Sequence, residues 1–302
     1  MSEHGVPPGR IHTHWDSTLA PILEVQSGDV VAVTLPDVSG GRIAPQSTHR
    51  DLLRLNDDYA LVGPLYVQDA QPGDALEVEL LELTPGAWGW TGVIPGFGLL
   101  AEDFTDPHLH LWDLSSGCHT RFLQVLDIPL HPFCGTLGVS PRTARPTPVM
   151  PPGHFGGNMD IKALGTGSAL WLPVQVAGAL FSLGDPHAAQ GDGEVAGTAI
   201  ECPMEVTIRL RLHKGLNLRR PHFFTARQPP TLATRHFSSV GIASDLMEAA
   251  RDALRGACTF LADRYQIAPV EAYVLASVVA DLAIAQAVNI PQWTVTATVP
   301  VV

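Results

Sequence analysis

Lysine is nearly missing from this chain of 302 residues: only Lys162 and Lys214 are present. Neither lies in a serine-rich loop or close in sequence to a cysteine, so a Ser–Ser–Lys or Cys–Glu–Lys catalytic set has no support. A G-x-S-x-G nucleophile elbow and a P-loop are also absent. The four cysteines, Cys118, Cys134, Cys202 and Cys258, contain no C-x-x-C pair. That excludes a zinc-finger pattern and any evident disulfide framework, and a reducing compartment follows most simply. Positive charge is scarce too, with 18 Lys+Arg against 30 Asp+Glu and a formal charge of -12. Such a chain repels phosphate backbones and anionic head groups, so neither nucleic acid nor a membrane surface is expected as a partner. No apolar leader stands at the N-terminus, and the apolar stretch near the C-terminus is broken by Glu271, Asp281 and Gln286. A soluble, cytoplasmic protein is expected.

What the chain does hold is apolar bulk and turn formers: 45% hydrophobic residues, 28 Gly and 26 Pro, with only 16% charged. It can bury a large core, and its turns should be many and short. PILEVQSGDVVAVTLPD (Pro21–Asp37) alternates apolar and polar residues on either side of Ser27-Gly28-Asp29, and VQDAQPGDALEVELLEL repeats the pattern around Pro72-Gly73-Asp74. Each predicts an antiparallel hairpin. The turn-and-strand pattern recurs at Leu164–Val176, whereas Thr84–Pro152 is predicted to form long ordered loops rich in Gly, Pro and aromatics. Arg227–Thr234 is a candidate linker. Beyond it the period becomes helical: Leu246, Ala249, Ala250, Ala253, Leu254, Ala257 and Leu261 share a stripe with Ser244 as N-cap. A second helix should begin at Pro269, turning Tyr273, Val274, Ser277, Val278 and Asp281 inward, with Ser277 and Asp281 anchoring a buried polar network. TVTATVPVV is a final strand. The fold expected is α+β and mainly β: a sandwich- or barrel-like body over residues 1–226 that carries the site, and a smaller helical part with a last strand over 235–302.

Several strings could carry chemistry. GDPHAAQGDGEV offers Asp185, His187, Gln190, Asp192 and Glu194 among glycines and alanines that let the backbone curl and the side chains converge on a cation. A solvated acidic turn with an incidental histidine is the commoner meaning of such a string. GHFGGNMD supplies Asn158, suited to holding a carbonyl or oxyanion, and Asp160, a ligand or a turn cap. HTHWD places His12 and His14 two apart, and Asp37 ends the first strand pattern, where capping is the simpler role. Trp88, Trp90, Phe97 and Trp112 could wall a small pocket or merely pack in the core.

These strings occur together and in order: Trp15-Asp16, the P-x-L-x-V-x-x-G-D run at Pro21–Asp29, VQDAQPGD, the HPFCGTLGVSP loop, GGNMD at Gly156–Asp160, LWLPVQVAGALFSLGD, GDPHAAQGDGEVAGTAIE and EAYVLASVVADLAIAQAVN. In this combination the chain resembles the acetamidase/formamidase family over nearly its whole length, with Ala280 standing where a glycine is common. The resemblance implies a homo-oligomeric, cytoplasmic hydrolase that converts formamide, acetamide or a similar short amide to carboxylate and ammonia around a divalent metal. Zinc is favoured by the histidine, with calcium as the second choice. By matched positions it implies Asp160 and His187 as metal ligands, Asp37 as a third, Glu194 as general base, and Asn158 and Glu201 as residues that orient the substrate amide. Two alternatives are a non-catalytic cation binder and a hydrolase of the same fold acting on a larger amide or carbamoyl compound.

Overall fold

The computed structural model describes residues 2–6, 9–55, 59–123, 125–225 and 235–301. Two sheets face one another across the main core. The larger has nine strands in the spatial order Glu3–Gly5, Val30–Leu35, Met204–His213, Ala75–Pro85, Ala169–Pro173, His222–Thr225, Arg235–Ala243, Trp293–Val301 and Asp281–Gln286. All its neighbours run antiparallel except the first pair. The smaller sheet orders Gly156–Asn158, Phe133–Gly138, Phe181–His187, Leu61–Val67 and Ile11–His12, with Leu23–Val25 alongside Leu61–Val67. Val31, Val33, Leu76, Val78, Leu80 and Ile208 from the first meet Leu65, Val67, Leu137, Phe181 and Leu183 from the second in one buried cluster. Alternate residues of Val30–Leu35 are buried, as a strand with one covered face requires. Phe181–His187 and Phe133–Gly138 are buried at every position, covered on both faces. The mainly β body and the C-terminal helices agree with the expected fold class.

Neither Gly-Asp turn closes a hairpin. Leu23–Val25 and Val30–Leu35 belong to different sheets, as do Leu61–Val67 and Ala75–Pro85, so both turns carry the chain across the sandwich. Alternation signals strand, turn, strand; it is silent about which strand each one pairs with. The two turns are built alike. Gly28 and Gly73 sit at φ 100° and 96°, where a side chain would be strained. Asp29 accepts the Gln26 amide at 3.0 Å and Asp74 accepts the Gln71 amide at 2.8 Å. The Ser2 amide above all, then the Gln26 amide and His4, hold the Asp29 carboxyl down at about 2.

The segment predicted as long loops contains paired strands instead, Trp88–Val93 with His108–Asp113 and His119–Phe122 with Leu126–Pro129, besides Phe133–Gly138 of the smaller sheet. Glycines and aromatics there obscured a short-strand pattern. The candidate linker Arg227–Thr234 lies outside the described residues. After it come three strands as well as two helices, and these strands extend the larger sheet beyond His222–Thr225.

Helix α1, Leu246–Tyr265, is capped one residue later than expected, by Asp245, whose carboxylate accepts the Glu248 amide at 2.8 Å. Ala249, Ala253, Ala257 and Leu261 form its buried stripe, while Leu246, Ala250 and Leu254 of the expected face are half-buried at its margin. Helix α2, Pro269–Val279, starts at its proline, but its orientation is the reverse of that expected. Ala272 and Ala276 face inward, small enough for close approach, while Tyr273, Val274, Ser277 and Val278 are exposed. Asp281 begins a strand and is exposed, so it forms no buried network with Ser277. The helix is apolar on every side, and periodicity had no polar face with which to orient it.

Candidate active site

Four carboxylates and one imidazole converge where the smaller sheet meets the Gly191–Gly197 loop. Asp185 and His187 are two residues apart on the strand Phe181–His187, and Asp185 Oδ1 lies 3.1 Å from His187 Nε2. Backbone bridges set Glu201 beside both His187 and Trp90, and its Oε2 stands 3.1 Å from the same nitrogen. Glu194 Oε1 is 3.9 Å away from it. Asp160 follows the strand Gly156–Asn158, its amide donating to the Gly135 carbonyl at 3.1 Å. All five groups are buried. Asp160, Asp185 and Glu194 sit at φ 48°, 57° and 45°. Left-handed backbone outside glycine costs energy, and three such residues around one point mark a locally imposed geometry.

Gly135 gives this cluster its room: a methyl group there would stand 2.4 Å from Asp160 Oδ1 and 2.6 Å from Asp185 Oδ2. Gln190 fixes the imidazole. Its amide nitrogen donates to the Asp160 carbonyl at 2.9 Å, which leaves its oxygen to accept from His187 Nδ1 at 3.0 Å. The proton of the neutral ring therefore belongs on Nδ1, and Nε2 faces the carboxylates as a lone pair. That arrangement is tolerable only if Nε2 is also protonated or a cation lies between. Two further observations favour a cation: Asp160 Oδ1 is buried with no hydrogen-bond donor, and Glu201 Oε2 has no well-aligned one. The atoms of Asp160, Asp185 and His187, and those of His187, Glu194 and Glu201, all lie within 4.8 Å of one another in each set. A mixed imidazole and carboxylate set of this kind fits a divalent metal.

Crowding shifts the titrations. Burial first, then the Asp185 charge, pushes the Asp160 carboxyl up to about 7, against the pull of His187 and Asn289. Burial and Asp185 likewise push Glu201 up to about 7, with His187 opposing. Burial and Asp160 drive Glu194 well upward. Burial alone would lower His187, but Glu201 and Asp185 carry it well above the ordinary value. Unfolded carboxyls titrate near 4, so between about pH 4 and pH 7 the folded chain binds more protons than the unfolded one, and stability held below that window is lost as pH rises through it. Protein dialysed against a chelator is expected to melt about 5 °C lower at pH 8 than at pH 5. A flat or rising melting temperature, measured by calorimetry, contradicts this account of the cluster.

A cavity of about 450 Å³ opens onto the cluster, lined at its inner end by Asn158, Asp185, Glu194, Glu201 and Asn289. Thr136 donates to Asn158 Oδ1 at 2.9 Å, and the Asn158 amino group turns to Met150 Sδ at 3.7 Å, Asn158 and Met150 both lying on the cavity lining. Tyr59 leans on the same Thr136 hydroxyl at 2.9 Å and donates to the Val149 carbonyl. Asn289 donates to the Asp160 carboxylate and to the Asn158 carbonyl, tying the two together. Trp90 and Phe97 line the cavity, whereas Trp112 lines a separate hollow of about 890 Å³ that also reaches Glu194.

The structure thus brings together Asn158, Asp160, His187, Glu194 and Glu201 of the residues expected from sequence. Asp37 stands outside the group: its oxygens accept the Ser39 and Gly41 amides at 2.9 and 3.1 Å and the Trp90 indole at 3.1 Å. It caps its turn and positions Trp90, the simpler of its two expected roles. Asp192 is half exposed and paired with Lys162, while His12 bonds Ser182 and the His14 carbonyl. Sequence assigned no role to Asp185, although its place two residues before His187 on a strand sets both side chains on one face. Gly135, Thr136 and Asn289 are far away in the chain and carried no local signal.

The family profile described as the Acetamidase/Formamidase family matches residues 6–148 and 142–302. The formamidase of Methylophilus methylotrophus is 28% identical over 287 residues, covering 74% of this chain and 70% of the relative. The crystal structure of acetamidase from Bacillus halodurans superposes with a TM-score of 0.88 at 31% identity, covering 99% of this chain and 97% of that one. Acetamidase from Yersinia enterocolitica gives the same TM-score at 28% identity, covering 99% and 92%.

Proposed function

The chain belongs to the acetamidase/formamidase family and is an amidase acting on short linear amides, and from that premise we propose that the buried cluster around His187 is where the amide is hydrolysed. The observation that carries this reading is the joining of an upward-shifted Glu194 carboxyl and the Asn158 side-chain amide on the lining of one cavity. Asn158 donates to the carbonyl oxygen and to the negative charge that grows on it, held in that orientation by Thr136. Glu194, ionised, accepts the proton of the attacking water and returns it to the departing nitrogen, so that ammonia leaves as the carboxylate forms. Glu201 and Asp185 flank the reacting water, and Gln190 keeps the His187 ring in register.

His187, Asp185, Glu201 and Asp160 would hold a divalent cation, zinc by the imidazole among the carboxylates and calcium if oxygens dominate. A bound cation would lower the pKa of the attacking water and polarise the amide carbonyl. The test is ammonia release from formamide and acetamide by purified protein, together with elemental analysis. Turnover that is lost to a chelator and restored by one metal supports the full reading. Turnover untouched by thorough chelation removes the metal, and no release from either amide sinks the assignment to this cluster.

A homo-oligomer and a cytoplasmic location also remain proposals; no helix among the described residues is long and apolar enough to cross a membrane. Association would cover most apolar surface at α2, where Val270, Val274 and Val278 are 68%, 64% and 81% exposed. Sedimentation should show the wild type as an oligomer and Val274→Asp/Val278→Asp dissociated. An unchanged assembly would place the interface elsewhere.

A further inference from the structure

The cavity is far larger than formamide or acetamide needs. Acetamide has four non-hydrogen atoms and takes roughly the space of two to three waters at ~30 Å³ each. The cavity measures about 450 Å³, within the range of pockets that hold much larger ligands. Asn158, Asp185, Glu194 and Glu201 line it together with Ser39, Tyr59 and Thr198; Trp90 is bridged to Glu201, and Met150 Sδ accepts from the Asn158 amino group at 3.7 Å. Leu55, Ile94, Phe97 and Ile290 add an apolar stretch to the same lining. Phe97 is seated directly over Gly197, where an added methyl would stand 2.5 Å from its ring, so this part of the wall is braced on the loop that carries Glu194. Arg42 is the one cationic side chain among the described lining residues, and its Nε donates to the Ser39 carbonyl at 2.7 Å.

We propose that the preferred substrates are primary amides with an uncharged apolar acyl group of about four to eight carbons, straight-chain or arylalkyl, whose chain lies along the Ile94–Phe97 wall. This rests on the amidase reading above. The chemistry is unchanged: the C–N bond breaks, water supplies the new C–O bond, and the nitrogen leaves with the transferred proton as ammonia while the longer carboxylate is released. A two-carbon amide reacts at the polar groups and leaves the apolar stretch in contact with water; each methylene added to the chain removes part of that contact.

The experiment is a kcat/KM series on the full chain with formamide, acetamide, butyramide, hexanamide and phenylacetamide, alongside N-hexylacetamide and succinamate. The expected rise is about three- to four-fold per methylene, or about a hundred-fold from acetamide to hexanamide, with phenylacetamide comparable to hexanamide. Ile94→Trp, which fills the wall, should lower the hexanamide-to-acetamide ratio at least about ten-fold. If that variant does not fold, the wild-type series decides alone. Acetamide turnover with a falling series, or a preference for N-hexylacetamide or succinamate, overturns the proposal and leaves the amidase reading intact. No hydrolysis of any amide sinks both.

Discussion

Glu194→Gln should lower kcat for acetamide by about a thousand-fold, within the range that a positioned proton acceptor contributes. The replacement keeps the shape of the side chain and removes only its ability to take and return a proton. Glu194 is buried, and burial and the Asp160 charge lift its carboxyl well above the ordinary range, which makes it a stronger proton acceptor than an exposed carboxylate. The KM for acetamide should therefore move by less than the kcat, and the melting temperature should hold or rise, since one of the crowded negative charges is gone. If kcat falls less than ten-fold with the fold intact, another group is the base, and Glu201 or Asp185 is the next to substitute.

Gly135→Ala is expected to cost at least about a hundred-fold in kcat/KM, the scale on which a displacement of about 1 Å acts at a reacting centre. The added methyl would stand 2.4 and 2.6 Å from carboxylate oxygens of Asp160 and Asp185, with His187 Cε1 at 2.9 Å. Three of the proposed cation-holding residues would have to move together. The loss should therefore appear in metal content as well as in rate, while circular dichroism of the sheets stays unchanged. Retention of both metal and rate would show that the oxygens yield without consequence, and would separate them from the catalytic centre.

Sequence made visible those parts of this molecule that depend on neighbours in the chain. The strands of Val30–Leu35 and Trp293–Val301, the stripe of α1 and the proline start of α2 all follow from local periodicity and capping. Partners across space do not. The two Gly-Asp turns look like hairpins because their flanks alternate, yet each flank pairs with a strand remote in sequence. The inward face of α2 was misplaced because alanine, small enough to approach α1, attracts less notice than valine in a segment that is apolar all round. The site divides in the same way. His187, Glu194 and Glu201 lie in one conspicuous string, and Asp160 ends another. Gln190 was visible there without a role, while Gly135, Thr136 and Asn289 hold the group in place from three other regions. Asp37 shows the converse, a buried aspartate at a strand end whose oxygens are fully engaged by its own turn and an indole.

The crossing turns bear on how the chain reaches its native state. Since neither turn joins the strands it separates, Val30 must find Arg209, and Ala75 must find His213. Closing loops of that length comes before any reward from their contacts, and topologies dominated by such pairings fold slowly. While they remain open, edges such as Val30–Leu35 and Phe181–His187 offer unpaired backbone and apolar side chains to other chains. Yield on refolding or expression should then be governed by concentration and temperature during assembly more than by the stability of the finished sandwich.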